Sequence, residues 1–483
     1  MRTLVWFRGK DLRVSDHRPL AEAVRAGEIV PVFVLDPYFF AKERAQAIPN
    51  RMRFLVASLA ELARTFEDLG SKLLVFEGKS TEVIPRLVQA LSVDKVVAHR
   101  WSEPVGIERD RRVAKALHAQ GAIPFELYEG ETLAAPGQVL TGGGTPFHVF
   151  TPFARAFAKV VEIGPPTAAP KSLPKPPELP RAIAKELTDV PTAETLGLDT
   201  SADITPGGES EAKRRLARFL HGAGAHYTTG RDLMGEDGTS RISQDLKFGT
   251  ISPKQVWRAT QKSLDDHPKA LRTFLNELVW REFAYDVLRV RPDVLEKPFR
   301  PEWQGFPWRR DAKEWRAWQE GTTGYPVVDA SARQLLQTGF VHNRARMVSA
   351  SFLCKHLLLD FRQGEAHYMQ HLTDGDWASN DMGWQWSAGC GVDAQPWFRV
   401  FNPVMQGKKF DTKGDYVRRW VPELARMPDR WIHEPWAAPP DVLAKAGVEL
   451  GRTYPAPIVD HAFARGRFLA AAEGHLARRK QQT

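Results

Sequence analysis

Cysteine is nearly absent from this chain: of 483 residues only Cys354 and Cys390 carry a thiol. Two thiols cannot build a disulfide framework, and their spacing fits no metal-ligand motif. Buried free thiols and no metal site are expected. Long apolar runs are missing as well. No stretch approaches membrane-spanning length, and no charged-then-apolar leader opens the chain. The first strand begins almost at once, at Thr3-Leu4-Val5-Trp6-Phe7. A cytoplasmic protein with no membrane association is the expectation. A third absence concerns glycine. No Gly-rich dinucleotide fingerprint follows the first strand, and Gly142-Gly143-Gly144, just before Phe147, reads as a turn and not as a phosphate cradle.

What the chain does have is positive charge and tryptophan. Lys and Arg number 67 against 58 Asp and Glu, a net charge of +9. Such a balance favours a polyanionic partner, because phosphate contacts release counterions from nucleic acid. Charge alone leaves a merely basic soluble protein as an equal reading. Tryptophan occurs 15 times, much of it in the C-terminal half. Core packing accounts for some of these rings; flat rings also hold planar cofactors, stack on bases and carry electrons.

Residues 1–160 alternate strands with helices. Short runs rich in Val, Leu or Phe at 3–7, 29–35, 72–76 and 95–98 predict strands. Leu55, Leu59, Leu62, Phe66 and Leu69 fall on one stripe of a helix starting near Arg51. Strand–helix alternation implies a doubly wound parallel sheet, whose ligands lie at the carboxyl ends of the strands. Asp36, after the second strand, is therefore a candidate pocket wall. Between 161 and 208 seven prolines from Pro165 to Pro180 preclude regular helix, giving an extended interdomain linker. From 209 to 483 helical periodicity dominates, with helices predicted at 211–219, 269–290, 332–337, 344–359 and 365–372. The fold class is an α/β N-terminal domain followed by an all-α C-terminal domain.

Three stretches of the helical part carry polar and aromatic residues that packing does not require. The first runs from Tyr227 and Arg231 to Thr239, Ser240 and Ser243, just before a short helix at 244–248. Hydroxyls and N–H groups at a helix start suit a phosphate, although simple N-capping by Thr239 or Ser240 is the commoner use. Next, Glu277, Trp280 and Arg281 share one helix face by their spacing of three and four; an exposed Glu277–Arg281 pair is the plainer alternative. The third contains His342-Asn343-Arg344 with Arg346 and Met347, then Asp374, Asp376, Asn380, Trp384 and Trp386. Two acids, an amide and several tryptophans in one span are hard to assign to a core, and the acids lack further ligands for a metal.

These residues resemble the DNA photolyase and cryptochrome family, and the resemblance covers nearly the whole chain. Val5-Trp6-Phe7-Arg8 with Asp11-Leu12-Arg13 is similar to the family's opening strand and loop, with one extra residue between arginine and aspartate. Gly324-Tyr325-Pro326-Val327-Val328-Asp329, His342-Asn343-Arg344, Trp384-Gln385-Trp386 and Phe398-Arg399-Val400-Phe401-Asn402 match its C-terminal domain in order and spacing. The resemblance implies a folded FAD in the helical domain. Tyr227, Thr239, Ser240 and Ser243 would hold its phosphates and ribityl chain. Arg281, Asn343, Arg346, Asp374, Asp376 and Asn380 would surround the remainder, with Asn380 at flavin N5. The active flavin of the family is reduced and anionic, and a neutral amide tolerates that charge better than a carboxylate.

The resemblance is strongest to the branch that splits cyclobutane pyrimidine dimers in DNA with blue light, a carbon–carbon lyase reaction. Trp280 and Trp386 would clasp the flipped lesion, Glu277 would hydrogen-bond a base edge, and Asn343 and Met347 would line the cavity. Arg231, Arg344 and Arg399 would contact flanking phosphates. DNA containing pyrimidine dimers is thus the expected partner, and a monomer the expected state. A blue-light receptor of the cryptochrome type, including the DASH type acting on single strands, is the alternative; Asn380 and the lack of a long C-terminal extension count against it.

Two departures stand out. Relatives relay electrons to oxidised flavin through three tryptophans; Trp384 and Trp308 match the proximal and distal members, but Phe361 holds the middle position. Phenylalanine is much harder to oxidise, so photoreduction is expected to be slow or to use another aromatic such as Trp377. For a second, antenna chromophore, Arg51, Glu103 and Lys247 match relatives that bind a deazaflavin, yet Trp101 replaces an aspartate of that pocket. The glutamate that grips methenyltetrahydrofolate in other relatives aligns with Gly106. A second chromophore of one of these types is expected, its identity open.

Overall fold

The structure is a computed structural model that describes residues 1–135, 137–199 and 204–481. The chain divides into two compact units. One comprises Met1–Phe147, Thr151–Ala225 and Ser240–Val290; the other comprises His148–Phe150, His226–Thr239 and the chain from Arg291 onward.

The first unit is built on five parallel strands, β1 (Arg2–Phe7), β2 (Glu28–Leu35), β3 (Leu74–Glu77), β4 (Lys95–His99) and β5 (Phe125–Tyr128), in the order β3-β2-β1-β4-β5. Alternation along β1 sends Val5 and Phe7 into one apolar core and Leu4 and Trp6 into another. Helices Arg18–Ala26 and Pro49–Asp68 cover the first face, through Leu20, Ala23, Leu55, Leu59, Leu62 and Phe66. Helices Ser80–Ala90 and Pro104–Ala119 cover the second, through Val83, Ile84, Leu87, Val113 and Leu117. Both faces are buried, which is why the strands read as continuous apolar runs. Sequence pattern missed β5: its four residues form a short edge strand with no fully buried member, in which only Phe125 and Leu127 pack against the core. The chain order reverses between β1 and β4, so the loops after Phe7 and His99 meet at the switch point where such sheets bind ligands.

Within the Pro-rich segment one turn of helix does form, at Arg181–Ala184, and Leu187 bridges to Phe76 of β3. Further helices of this unit include Glu209–Leu220, Ser243–Phe248, Pro253–Lys262 and Pro268–Val290. The last is 23 residues long and buries twelve of them, which leaves Glu277, Trp280 and Arg281 on its half-exposed side.

Every strand among the described residues belongs to the first unit; the second is helical around one large core. Its central helices are Pro326–Thr338, Asn343–Ser351, Phe361–His371 and Trp377–Ala388. The sequence predicts one helix over 344–359, but the structure breaks it. The α-helix ends at Ser351, a turn of wider π-helix spans Phe352–His356, and Leu358 adopts a left-handed φ of 57°. The widened turn accompanies a fully buried Lys355, whose ammonium donates to the Arg399 carbonyl at 2.9 Å. Both cysteines are buried free thiols, and burial pushes the Cys354 thiol upward.

Candidate functional site

Helix Trp377–Ala388 organises the chemistry of the second unit. Asp376 caps it by accepting the Ser379 N–H at 2.9 Å, so its carboxylate is fixed by the first helical turn. Asn380 and Trp384 lie four residues apart and share one face. Asn380 Nδ2 donates to the Glu365 carbonyl at 3.2 Å. That bond orients the amide and leaves Oδ1 without a partner among the described residues, free to accept an N–H. Trp384 is 3% exposed. It packs where Gly364 has no side chain, since a Cβ there would stand 2.2 Å from the ring.

Two ion pairs flank this helix's N-terminal end and the helix Asn343–Ser351. Arg346 binds both oxygens of Asp374, at 2.9 and 3.1 Å, and also the Val341 carbonyl. Arg344 binds Asp232 at 2.6 Å while its guanidinium lies 4.3 Å over the Phe410 ring. Asn343 is exposed, and its amide reaches the Met347 sulfur at 3.7 Å. Tyr227 is buried with the Arg231 guanidinium 5.5 Å over its ring. Arg399 is exposed and Trp386 half-buried.

In the first unit, helix Ser243–Phe248 has Ile242 at its cap position and no side-chain cap bond. Neither Ser240 nor Thr239, the last residue of a second-unit segment, therefore spends its hydroxyl on capping, and neither has a hydrogen-bond partner among the described residues. Arg281 donates to the Glu131 carbonyl at 2.7 Å and to the Tyr285 hydroxyl at 3.1 Å. Beside it, Glu282 is buried and accepts the N–H groups of Leu133 and Ala134. Burial pushes its pKa up to about 7.

The candidate antenna residues also belong to this unit. Glu103 and Lys247 are paired at 2.9 Å, and Lys10, which the sequence pattern did not single out, joins them at 2.8 Å. Burial lowers Arg51 to about 10, with Glu103 opposing that shift. Asp36 caps a short turn through Tyr38 and holds Ser80, so its oxygens serve the loop after β2. Trp101 is 5% exposed and lies beneath the Arg109 guanidinium at 4.4 Å. A Cβ on Gly106 would stand 2.6 Å from the same ring. The position that aligns with the folate-gripping glutamate is thus closed to any side chain while Trp101 keeps its place.

Among the described residues one trio has the makings of a metal site: Asp11, His17 and His99, all buried. His17 Nδ1 accepts the Leu20 N–H at 3.1 Å, so its proton resides on Nε2, which faces Asp11 at 3.6 Å. A nitrogen carrying that proton has no lone pair for a metal. His99 Nδ1 meets the same carboxylate at 3.2 Å, so one hydrogen bond and one longer polar contact hold the trio at the loop after β1.

The donor set of the second unit fits a flavin: a fixed amide acceptor, a guanidinium held by a carboxylate, and an aromatic ring behind them. Comparison with known proteins gives the family. Residues 3–176 match the family model for DNA photolyase, and residues 274–474 that for the FAD-binding domain of DNA photolyase. A deoxyribodipyrimidine photo-lyase of Agrobacterium fabrum is 43% identical over 97% of each chain, and that of Escherichia coli is 36% identical over 97% of this chain and 98% of its own. Among solved structures, a bacterial class III photolyase from Agrobacterium tumefaciens superposes with a TM-score of 0.90 at 41% identity, covering 98% of this chain and 97% of its own. A Synechocystis cryptochrome gives 0.88 at 32% identity, covering 97% and 99%. This chain belongs to the DNA photolyase family.

Proposed function

We propose that this chain is a light-driven DNA-repair enzyme that splits cyclobutane pyrimidine dimers. Deoxyribodipyrimidine photo-lyases at 34–43% identity over nearly the full length support the activity. The observation that carries the reading is Asn380. Its amide nitrogen is spent on the Glu365 carbonyl, so its oxygen is presented as an acceptor, the polarity that the N5–H of a reduced flavin needs.

When bound, reduced FAD supplies one electron to the dimer under blue light and recovers it after both ring bonds have broken; net redox change is zero. The chain's own groups bind and orient. Tyr227, Thr239, Ser240 and Ser243 hold the phosphates and ribityl chain; the free hydroxyls of Thr239 and Ser240 support this. Arg281, Asn343, Arg346, Asp374, Asp376 and Asn380 surround the rest. Arg346 locked on Asp374 gives a fixed dipole and not a mobile charge. Trp280 and Trp386 wall the lesion, and Glu277 bonds a base edge. Asn343 and Met347, already in mutual contact, line the same cavity. Arg231, Arg344 and Arg399 bind phosphates.

A second chromophore, of deazaflavin or methenyltetrahydrofolate type, is part of the same reading. Glu103 is already held by Lys10 and Lys247, and the Trp101 ring covers Gly106. The reading also places the protein in the cytoplasm as a monomer; no described helix is long and apolar enough to cross a membrane.

The test is repair of a dimer-containing duplex and a dimer-containing single strand under blue light, with a dark control. Light-dependent repair of the duplex is expected. Repair of single strands alone would replace the reading with a DASH-type enzyme, and no repair by the FAD-loaded, reduced protein would replace it with a photoreceptor.

A further inference from the structure

Lys355 lies in the core of the second unit at 0% exposure, on the π-turn Phe352–His356. No carboxylate pairs with it among the described residues. Its neighbours are the Phe468 ring, 5.6 Å from the ammonium, and the buried thiols Cys354 and Cys390. Burial lowers its pKa to about 8, with Arg399 adding to the shift, so at neutral pH the group is still mostly an ammonium. A cation taken out of water with no counter-ion is costly, and an apolar side chain of the same length would stabilise the core more. Widened helical turns frequently accompany functional sites. Packing alone does not account for Lys355.

What Lys355 holds is the carbonyl of Arg399, 44 residues away in sequence. Arg399 belongs to the loop between helix Trp377–Ala388 and helix Pro403–Phe410. Between Trp397 and Phe401 the backbone makes two hydrogen bonds among the described residues, both at Arg399. Its N–H donates to the Pro396 carbonyl at 2.9 Å, and its carbonyl accepts from Lys355 Nζ at 2.9 Å. The first bond is local and closes a tight turn. Only the second ties this stretch to the body of the unit by a hydrogen bond. Trp397, Val400 and Phe401 are half-buried against the core, whereas Phe398 is 58% exposed and the Arg399 side chain is exposed as well. Apolar packing is non-directional and sets only the depth of the loop. A hydrogen bond to the planar carbonyl sets the orientation of the Arg399 peptide, and with it the direction in which the side chain leaves the surface.

We propose that Lys355 is a positioning residue for DNA binding: from inside the core it fixes the Arg399 peptide, so that the exposed guanidinium meets a backbone phosphate with its direction already set. The proposal rests on the reading that Arg399 contacts DNA. Lys355 itself, fully buried, does not reach the DNA. Ordering an exposed arginine before it binds removes part of the entropy lost on binding. An ammonium suits the task, because a charge-assisted bond to a carbonyl is stronger than one from a neutral donor. Burial suits it too, since no water competes for the bond.

The experiment uses the full-length FAD-loaded protein as wild type, Lys355→Met, Lys355→Arg, Arg399→Ala and the double variant Lys355→Met with Arg399→Ala. Methionine matches the apolar stem and takes a charge out of the core, so the fold is expected to survive. Lys355→Gln, whose amide stops one bond short of the carbonyl, keeps the test available if it does not. Hydrogen exchange of the segment 396–402, measured without DNA, is expected to quicken about tenfold in Lys355→Met and Lys355→Gln, and to stay near wild type in Lys355→Arg. Fluorescence anisotropy in the dark, with a duplex carrying a thymine dimer, should show affinity about tenfold weaker in Lys355→Met and a salt slope flatter by about one. In repair assays KM for that duplex should rise far more than kcat falls. Arg399→Ala should weaken binding at least as much, and the double variant should bind no more weakly than Arg399→Ala alone. Wild-type exchange of 396–402 in Lys355→Met, or the same affinity loss from Lys355→Met with and without Arg399, overturns the proposal. Wild-type affinity and salt slope in Arg399→Ala, together with faster exchange in Lys355→Met, would show instead that the reading of Arg399 has failed and not the hold of Lys355 on its peptide.

Discussion

Arg346 grips Asp374 by both carboxylate oxygens from a single guanidinium nitrogen, while its Nε donates to the Val341 carbonyl. The Asp374 side chain is 5% exposed and that of Arg346 26%. Removing the cation strands a buried carboxylate. Arg346→Ala is expected to cost about 2 kcal/mol, less than a fully buried pair because one partner is wetted. Thermal unfolding with and without FAD checks this, and FAD content is expected to fall.

Asn380→Asp would set a carboxylate against the Glu365 carbonyl oxygen, where the wild-type amide donates at 3.2 Å. The acid then either repels that oxygen or takes up a proton, and when ionised it opposes an anionic flavin. Reduced flavin in this variant is expected to reoxidise in air faster than in the wild type, more steeply so at high pH. Stopped-flow absorbance measures it; equal reoxidation rates would remove the role given to Asn380.

Arg344 spends part of its charge on Asp232, 2.6 Å away. Asp232→Asn frees the guanidinium for phosphate. Binding of undamaged duplex should tighten, and the slope of log affinity against log salt should steepen by about one contact's worth. Arg399→Ala should flatten it. Fluorescence anisotropy across a salt series reads both.

Phe361→Trp would join Trp308, 6.3 Å from the Phe361 ring, to an oxidisable neighbour. Photoreduction should become partly dependent on Trp308, so that Trp308→Phe slows the Phe361→Trp protein while leaving the parent unchanged. Repair from chemically reduced flavin should be unaffected.

Glu282 supplies a pH dependence whose sign is fixed by its surroundings. Burial raises it from an ordinary 4.5 to about 7, opposed by Arg281 and by the N–H groups of Ala134 and Leu133, and reinforced by Glu131. The folded state therefore holds a proton that the unfolded state has lost. The stability this group contributes is complete below pH 4.5 and declines as pH rises through 7, by about 3 kcal/mol in all. Glu282→Gln keeps the acceptor for both N–H groups and removes the ionisation. Unfolding curves from pH 5 to pH 9 should fall less steeply for the variant, by about that amount.

By itself the sequence determined the parallel α/β sheet and the helical remainder, because periods of burial are written directly into apolar spacing. It also determined the family, because the phrases from Gly324 to Asn402 lie in order and at fixed intervals. Relations between distant residues were decided only by tertiary structure. The four-residue edge strand β5 has no fully buried residue and left too short a pattern to read, and the π-turn at Phe352–His356, with its buried lysine reaching Arg399, has no signature in the apolar spacing. Which groups pair was equally invisible: Asp232 with Arg344, Lys10 with Glu103, and Asn380 with the Glu365 carbonyl are joined by folding, at separations of 112, 93 and 15 residues. Phe361 announced in the sequence that one electron route was interrupted. Only folding shows which rings meet, with Trp318 packed between Trp384 and Trp315, since ring contact depends on distance through space and not along the chain.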